Sequence, residues 1–172
     1  MSNVTLEEHV VVYMDILGMR EAMKSTVGDP QTAAQVLNNF RKAIRKALPA
    51  IRKPKHFWRI KIFTDNIVIA FPKAGLYNED IYGFATVDVA EFQYRLALCG
   101  WFVRGGMTIG PLYIDKDIVF GPALVETYEL ESSKARDPRI IVSDSLADEI
   151  KGNLGYYSNQ YTSPQNAYIS VD

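Results

Sequence analysis

The stretch "HVVVYMDILGM", residues 9–19, decides the fold. Its first part is a near-continuous apolar, β-branched run with the look of a central strand buried on both faces. The run ends on one carboxylate, Asp15, and passes through Gly18 into a helical stretch, "MREAMKST", that closes near "VGDP". A charge at the end of a buried strand needs a reason.

Outward from this strand the pattern alternates. In "PQTAAQVLNNFRKAIRKAL" the residues Ala33, Val36, Leu37, Phe40, Ile44 and Leu48 recur at helical spacing, with Pro30 suited to a first turn. Its basic end complements the helix dipole. "FWRIKIFTDNIVIAF" reads as two strands joined by a tight turn at Asp65-Asn66. "EDIYGFATVDVAEFQYRLALCG" is a helix with Gly100 as its C-terminal cap. The remaining elements are a strand in "WFVRGGMTIGPLYI", a return strand at "IVFG", a helix in "PALVETYELESSKA" and a strand in "PRIIVS". A helix in "DSLADEIKG", capped by Ser143 or Asp144, and a last strand at "AYISV" complete the order βααββαββαβαβ. Strands mixed with helices in this way predict an α+β fold, one mostly antiparallel sheet with helices packed against it.

A chain of 172 residues, 48% hydrophobic and 23% charged, is expected to form a single domain over 1–172. The net charge of −1 gives no broad basic field, so neither nucleic acid nor an anionic membrane is an expected partner. One cysteine, Cys99, excludes an internal disulfide framework and fits a reducing compartment. The first residues do not read as a signal peptide, and the apolar runs are too short to cross a bilayer, so the expected location is cytoplasmic. His9 and His56 lack metal-ligand spacing with Cys99. The glycines of "RGGMTIG" suit close packing or a bulge better than a phosphate loop.

If the strand ending at Asp15 lies beside the hairpin carrying Asp65, two carboxylates converge at one sheet edge. Such a pair repels itself unless a cation sits between, and hard divalent ions take carboxylates together with substrate phosphates. Each aspartate alone is also explained locally, Asp15 as a helix cap and Asp65 as a turn residue. The sequence after Asp15 favours a site: the backbone N–H groups of Ile16, Leu17, Gly18 and Met19 lie where a helix begins, a place that attracts phosphate, and Gly18 permits close approach.

The blocks "YMDILGM", "FTDNIVIAF", "FVRGGMTIGPLY" and "VFGPALVETYELE" resemble, in order and approximate spacing, the catalytic domain of class III nucleotidyl cyclases over residues 9 to 143. The resemblance implies a ferredoxin-like core and a reaction in which a ribose 3′-oxygen attacks the α-phosphate of a nucleoside triphosphate, releasing pyrophosphate and a 3′,5′-cyclic monophosphate. It implies Asp15 and Asp65 as catalytic carboxylates. With the Ile16 carbonyl they would be ligands to two Mg²⁺ or Mn²⁺ ions. It also implies a homodimer with its sites at the interface.

Departures from the family's pattern are equally specific. Val125 and Glu129 stand where the family carries a ribose-placing Asn and a transition-state Arg. Arg59 occupies the position of the adenine-selecting Lys, and Ile118, next to Asp117, that of its partner carboxylate. Among class III enzymes the chain looks most like the Pycsar pyrimidine cyclases of bacterial anti-phage defence. That likeness implies UTP, or CTP, as substrate and a separate effector that responds to the cyclic product. Phe57, Arg59 and Arg104 are the implied base-binding residues, since Arg donors match the carbonyls of uracil. Arg104 is equally read as a structural arginine paired with a helix carboxylate. Lys61 and Arg59 are alternative sources of transition-state charge. An ordinary purine cyclase and a non-catalytic nucleotide-sensing scaffold are the remaining readings.

Overall fold

The computed structural model describes residues 5–51, 58–74 and 78–157. β1 (Glu7–Ile16) is the middle of a six-stranded sheet, and Val10, Val11, Val12 and Met14 are fully buried along it. It pairs antiparallel with β3 (Asn66–Pro72) on one side and β4 (Val103–Ile114) on the other. β2 (Arg59–Phe63) forms the outer strand beside β3, while β5 (Val119–Phe120) pairs with the end of β4 and β6 (Ile140–Val142) runs parallel to its first half.

Side-chain alternation sorts the sheet into two faces. Val10, Val12, Met14 and Ile16, with Ile67, Ile69, Phe71, Val103 and Met107, form the main core. The helices α2 (Pro30–Ala47), α3 (Asn78–Gly83), α4 (Val89–Ala97) and α6 (Asp144–Tyr157) pack there. The opposite face carries Val11, Tyr13, Val68, Ala70 and Leu112 and is covered by α5 (Pro122–Lys134), which lies chiefly over β4 and β1. Arg59, Lys61 and Phe63 of β2 pair with Ala70, Val68 and Asn66, so they share the α5 face.

The local signals in the sequence act as read, with three adjustments. Asp29 caps α2 by accepting from the Gln31 and Thr32 N–H groups at 3.0 and 3.1 Å, and Ser143 caps α6 by accepting from Leu146 N–H at 3.2 Å. The hairpin turn is Thr64-Asp65, one residue earlier than expected, and Asn66 is the first residue of β3. The helix expected over 79–100 is divided: a wide π turn at Phe84–Asp88 separates α3 from α4. Gly100, at φ 82°, turns the chain out after α4. The strand in 101–114 starts at Val103, and the Leu17 N–H still donates to the Phe102 carbonyl at 2.9 Å just beyond its end. Phe57 and the "AYISV" segment lie outside the described residues. Among the described residues no helix is long and apolar enough to cross a membrane.

Candidate active site

Asp15 and Asp65 come together at the end of β1. Asp15 sits opposite Asn66 on β3 and Arg104 on β4, and the Ile16 N–H donates to the Asp65 carbonyl at 2.7 Å, stitching the hairpin turn to the strand end. Asp15 does not cap α1 (Met19–Lys24): the residue before that helix is Gly18, and no side chain caps it. Burial raises the Asp15 pKa; Arg104 and Arg20 pull it down and the Asp65 charge adds to the rise. The net rise marks a carboxylate that burial, and then a neighbouring charge, make costly to ionise.

Asp65 is aimed by its neighbours. Its Oδ1 accepts from Thr64 Oγ1 and from Asn66 Nδ2, both at 2.7 Å. The Tyr13 hydroxyl donates in turn to Asn66 Oδ1. Burial pushes the Tyr13 phenol up, and the charges of Glu131, Asp15 and Asp65 push it further, so it stays a donor. Thr64 holds a φ of 51°, a left-handed value rare for a β-branched residue. Strained backbone of this kind gathers at functional sites, where surrounding structure enforces it.

The donor set fits a hard divalent ion. Two carboxylates repel each other across a half-buried edge, and no cluster of three or more His, Cys, Asp or Glu side chains is found among the described residues. Mg²⁺ and Mn²⁺ suit a pair of carboxylates completed by main-chain and substrate oxygens.

The turn after Asp15 is narrower as an anion cradle than the sequence suggests. The Ile16 and Leu17 N–H groups are engaged by the Asp65 and Phe102 carbonyls, which leaves the cradle to Gly18 and Met19. Gly18 has φ 77°, and a side chain there would meet nothing within 4 Å, so the glycine serves the turn while the space beside it stays open. A cavity of about 630 Å³ borders Leu17 and Gly18 and is lined also by Lys42 and Lys46 of α2, two cations whose helical position the dipole alone explained.

Arg104 is held by protein carboxylates. Its Nε lies 2.6 Å from Glu131 Oε1 on α5 and 3.6 Å from Asp15 Oδ2, and Nη1 donates to the Ala135 carbonyl at 3.5 Å. Of the two readings of Arg104, the guanidinium shows the ion pair with a helix carboxylate, and one of its N–H groups is hydrogen-bonded, to the Ala135 carbonyl. Lys61 is likewise engaged, donating to the Lys116 carbonyl and fastening the β4–β5 hairpin over β2. Arg59 is exposed on the α5 face, and Val125 and Glu129 lie on the exposed side of α5. Sequence reasoning assigned no site role to Glu131, Tyr13 or Asn66, because strand register and the seating of α5 place them against the aspartates.

No protein-family model matches the sequence, and comparison with curated proteins finds no similar one. Solved structures do match. The adenylyl cyclase CyaB from P. aeruginosa is 14% identical with a TM-score of 0.65, over 87% of this chain and 84% of that one. The guanylate cyclase domain of RhGC from Catenaria anguillulae, solved in complex with GTP, is also 14% identical with a TM-score of 0.65, over 87% and 85%. A class III adenylyl cyclase-like ATP-binding protein from Pseudomonas aeruginosa is 12% identical with a TM-score of 0.61, over 84% of this chain and 35% of that one. The α+β architecture is thus that of class III nucleotidyl cyclase catalytic domains, as the sequence blocks implied.

Proposed function

We propose that this chain is a nucleotidyl cyclase that converts a nucleoside triphosphate to its 3′,5′-cyclic monophosphate and pyrophosphate. The observation that carries the reading is the meeting of Asp15 and Asp65, locked by the 2.7 Å bond from Ile16 N–H to the Asp65 carbonyl, on a sheet of cyclase architecture. Asp15, Asp65 and the Ile16 carbonyl would hold two Mg²⁺ or Mn²⁺ ions, which when bound supply Lewis acidity for a 3′-hydroxyl nucleophile and charge neutralisation for the triphosphate. The chain's own part is to fix the carboxylates through Thr64, Asn66 and Tyr13, and to offer the Gly18 and Met19 N–H groups to the phosphates. The substrate we favour is UTP, with CTP second, because the purine-reading Lys and carboxylate of the family are replaced by Arg59 and Ile118. Phe57 and Arg59 border the base in this reading. Exposed Phe63, Val125 and Tyr128 on the α5 face supply the contact for a second copy, giving a two-fold homodimer with interfacial sites. By resemblance the product is a signal in anti-phage defence, passed to a separate effector, and the setting is cytoplasmic.

The test is to incubate the purified protein with ATP, GTP, CTP and UTP plus Mn²⁺ and to identify products by mass. Cyclic UMP or CMP supports the full reading, and cyclic AMP or GMP supports the chemistry but refutes the base assignment. A second reading, a non-catalytic nucleotide-binding domain, is favoured by Val125 and Glu129 on α5, side chains that can neither place a ribose nor offset transition-state charge. Nucleotide binding with no product from any of the four triphosphates would establish it.

A further inference from the structure

Glu131 is 5% exposed and faces the Arg104 guanidinium, which also faces Asp15. Burying the Glu131 carboxylate under α5, against an arginine whose side chain stays 33% exposed, costs desolvation that a well-packed apolar side chain would avoid, so the pair calls for a role other than folding. The arrangement is lopsided. Nε is 2.6 Å from the buried carboxylate and 3.6 Å from the one at the site edge, whose side chain is 24% exposed. Arg104 Nη1, reaching the Ala135 carbonyl at 3.5 Å, ties the same group to the end of α5. A guanidinium directly on Asp15 would occupy the oxygens a divalent ion needs. One held a little way off screens the Asp15 charge without covering it.

We propose that Glu131 is a positioning residue: by gripping Arg104 it keeps the guanidinium from collapsing onto Asp15, and so sets the affinity of the site for a divalent cation. The inference rests on the reading of Asp15 as a metal ligand. Removing the Glu131 charge releases Arg104 to pair closely with Asp15, and the arginine and the ion then compete for one carboxylate. Removing Arg104 as well ends the competition.

The experiment titrates Mn²⁺ without nucleotide, following free Mn²⁺ by electron paramagnetic resonance, into wild type, Asp15→Asn, Glu131→Gln, Arg104→Gln and the double variant Glu131→Gln/Arg104→Gln, each checked by circular dichroism. Glu131→Gln is expected to bind Mn²⁺ about tenfold more weakly than wild type, the usual scale for a residue that orients a ligand. The double variant is expected to recover wild-type affinity or exceed it. A merely structural ion pair is rescued by the double substitution too, since no buried charge is then left unpaired, so Arg104→Gln alone separates the two roles. It keeps or tightens Mn²⁺ binding if the arginine competes for Asp15, and weakens it if the pair only holds α5 in place. Wild-type affinity in Glu131→Gln, weakened binding in Arg104→Gln, or a double variant about tenfold weaker than wild type, overturns the proposal; Arg104→Gln and the double variant decide if Glu131→Gln does not fold. Unchanged binding in Asp15→Asn instead refutes the metal-site reading, and the proposal with it.

Discussion

Gly106→Ala tests how α5 is seated over the site. A Cβ at Gly106 would lie 2.3 Å from the Thr127 carbonyl oxygen and 2.8 Å from the Leu130 Cβ, where ordinary contact begins near 3.4 Å. Both obstacles belong to α5 and one is backbone, so no rotamer change relieves the clash and the helix must retreat by about 1 Å. Overpacking of this severity costs about 3 kcal/mol, and the loss of glycine's freedom in the unfolded chain returns somewhat under 1 kcal/mol. A net loss of about 2 kcal/mol lowers the melting temperature of a chain this size by about 4–8 °C. Differential scanning calorimetry measures it. The control is Gly152→Ala in α6, where a Cβ meets nothing within 4 Å and helix propensity improves, so the melting temperature should hold or rise by a few degrees, about 0.5–1 kcal/mol. Because α5 carries Glu131, Gly106→Ala should also weaken Mn²⁺ binding. An unchanged melting temperature in Gly106→Ala would refute the close-packing argument for this glycine.

Asp15→Asn and Asp65→Asn should each abolish cyclic-nucleotide formation while leaving the fold intact by circular dichroism; full turnover in either variant removes it from the proposed metal set. Asp15→Asn should also melt higher than wild type at neutral pH: a carboxyl whose folded pKa is raised above its unfolded value destabilises the fold when ionised, and this penalty fades as pH falls below the folded value. The difference between the two proteins should therefore shrink on acidification. Asp115 behaves oppositely. Backbone bonds from Ile118 and Asp117 and the Tyr113 hydroxyl pull its carboxyl from 3.8 down to about 2, so its hold on the β4–β5 hairpin is complete above pH 3.8 and is lost as pH falls through about 2. Amide exchange at Asp117 and Ile118 across that range, faster in Asp115→Asn at neutral pH, reads it directly. Val125→Arg, on the exposed side of α5, should shift the protein toward monomer in sedimentation velocity with little change in stability.

Residues 9–19 by themselves determined the centre of the sheet and the end of it where the candidate site lies. A β-branched run ending at a carboxylate and a left-handed glycine has few places to go but a buried strand that feeds a turn. The helix boundaries at Asp29, Pro30 and Ser143 were also written locally, because caps and first-turn prolines act through neighbours two or three residues away. The convergence of Asp15 with Asp65 was legible as a condition, since it needed only that one strand lie beside one hairpin. What only the tertiary structure decided is the partnership around them. Arg104 was open between a base reader and a partner for a helix carboxylate, because nothing in "FVRGGM" says that α5 will bring Glu131 to within 2.6 Å of it. The paired glycines that follow gained their meaning the same way, Gly105 against the Tyr13 carbonyl and Gly106 against that of Thr127. Strand register and helix seating are set by the summed packing of distant segments. A charge 27 residues away in sequence can therefore decide a side chain's role without leaving a mark near it.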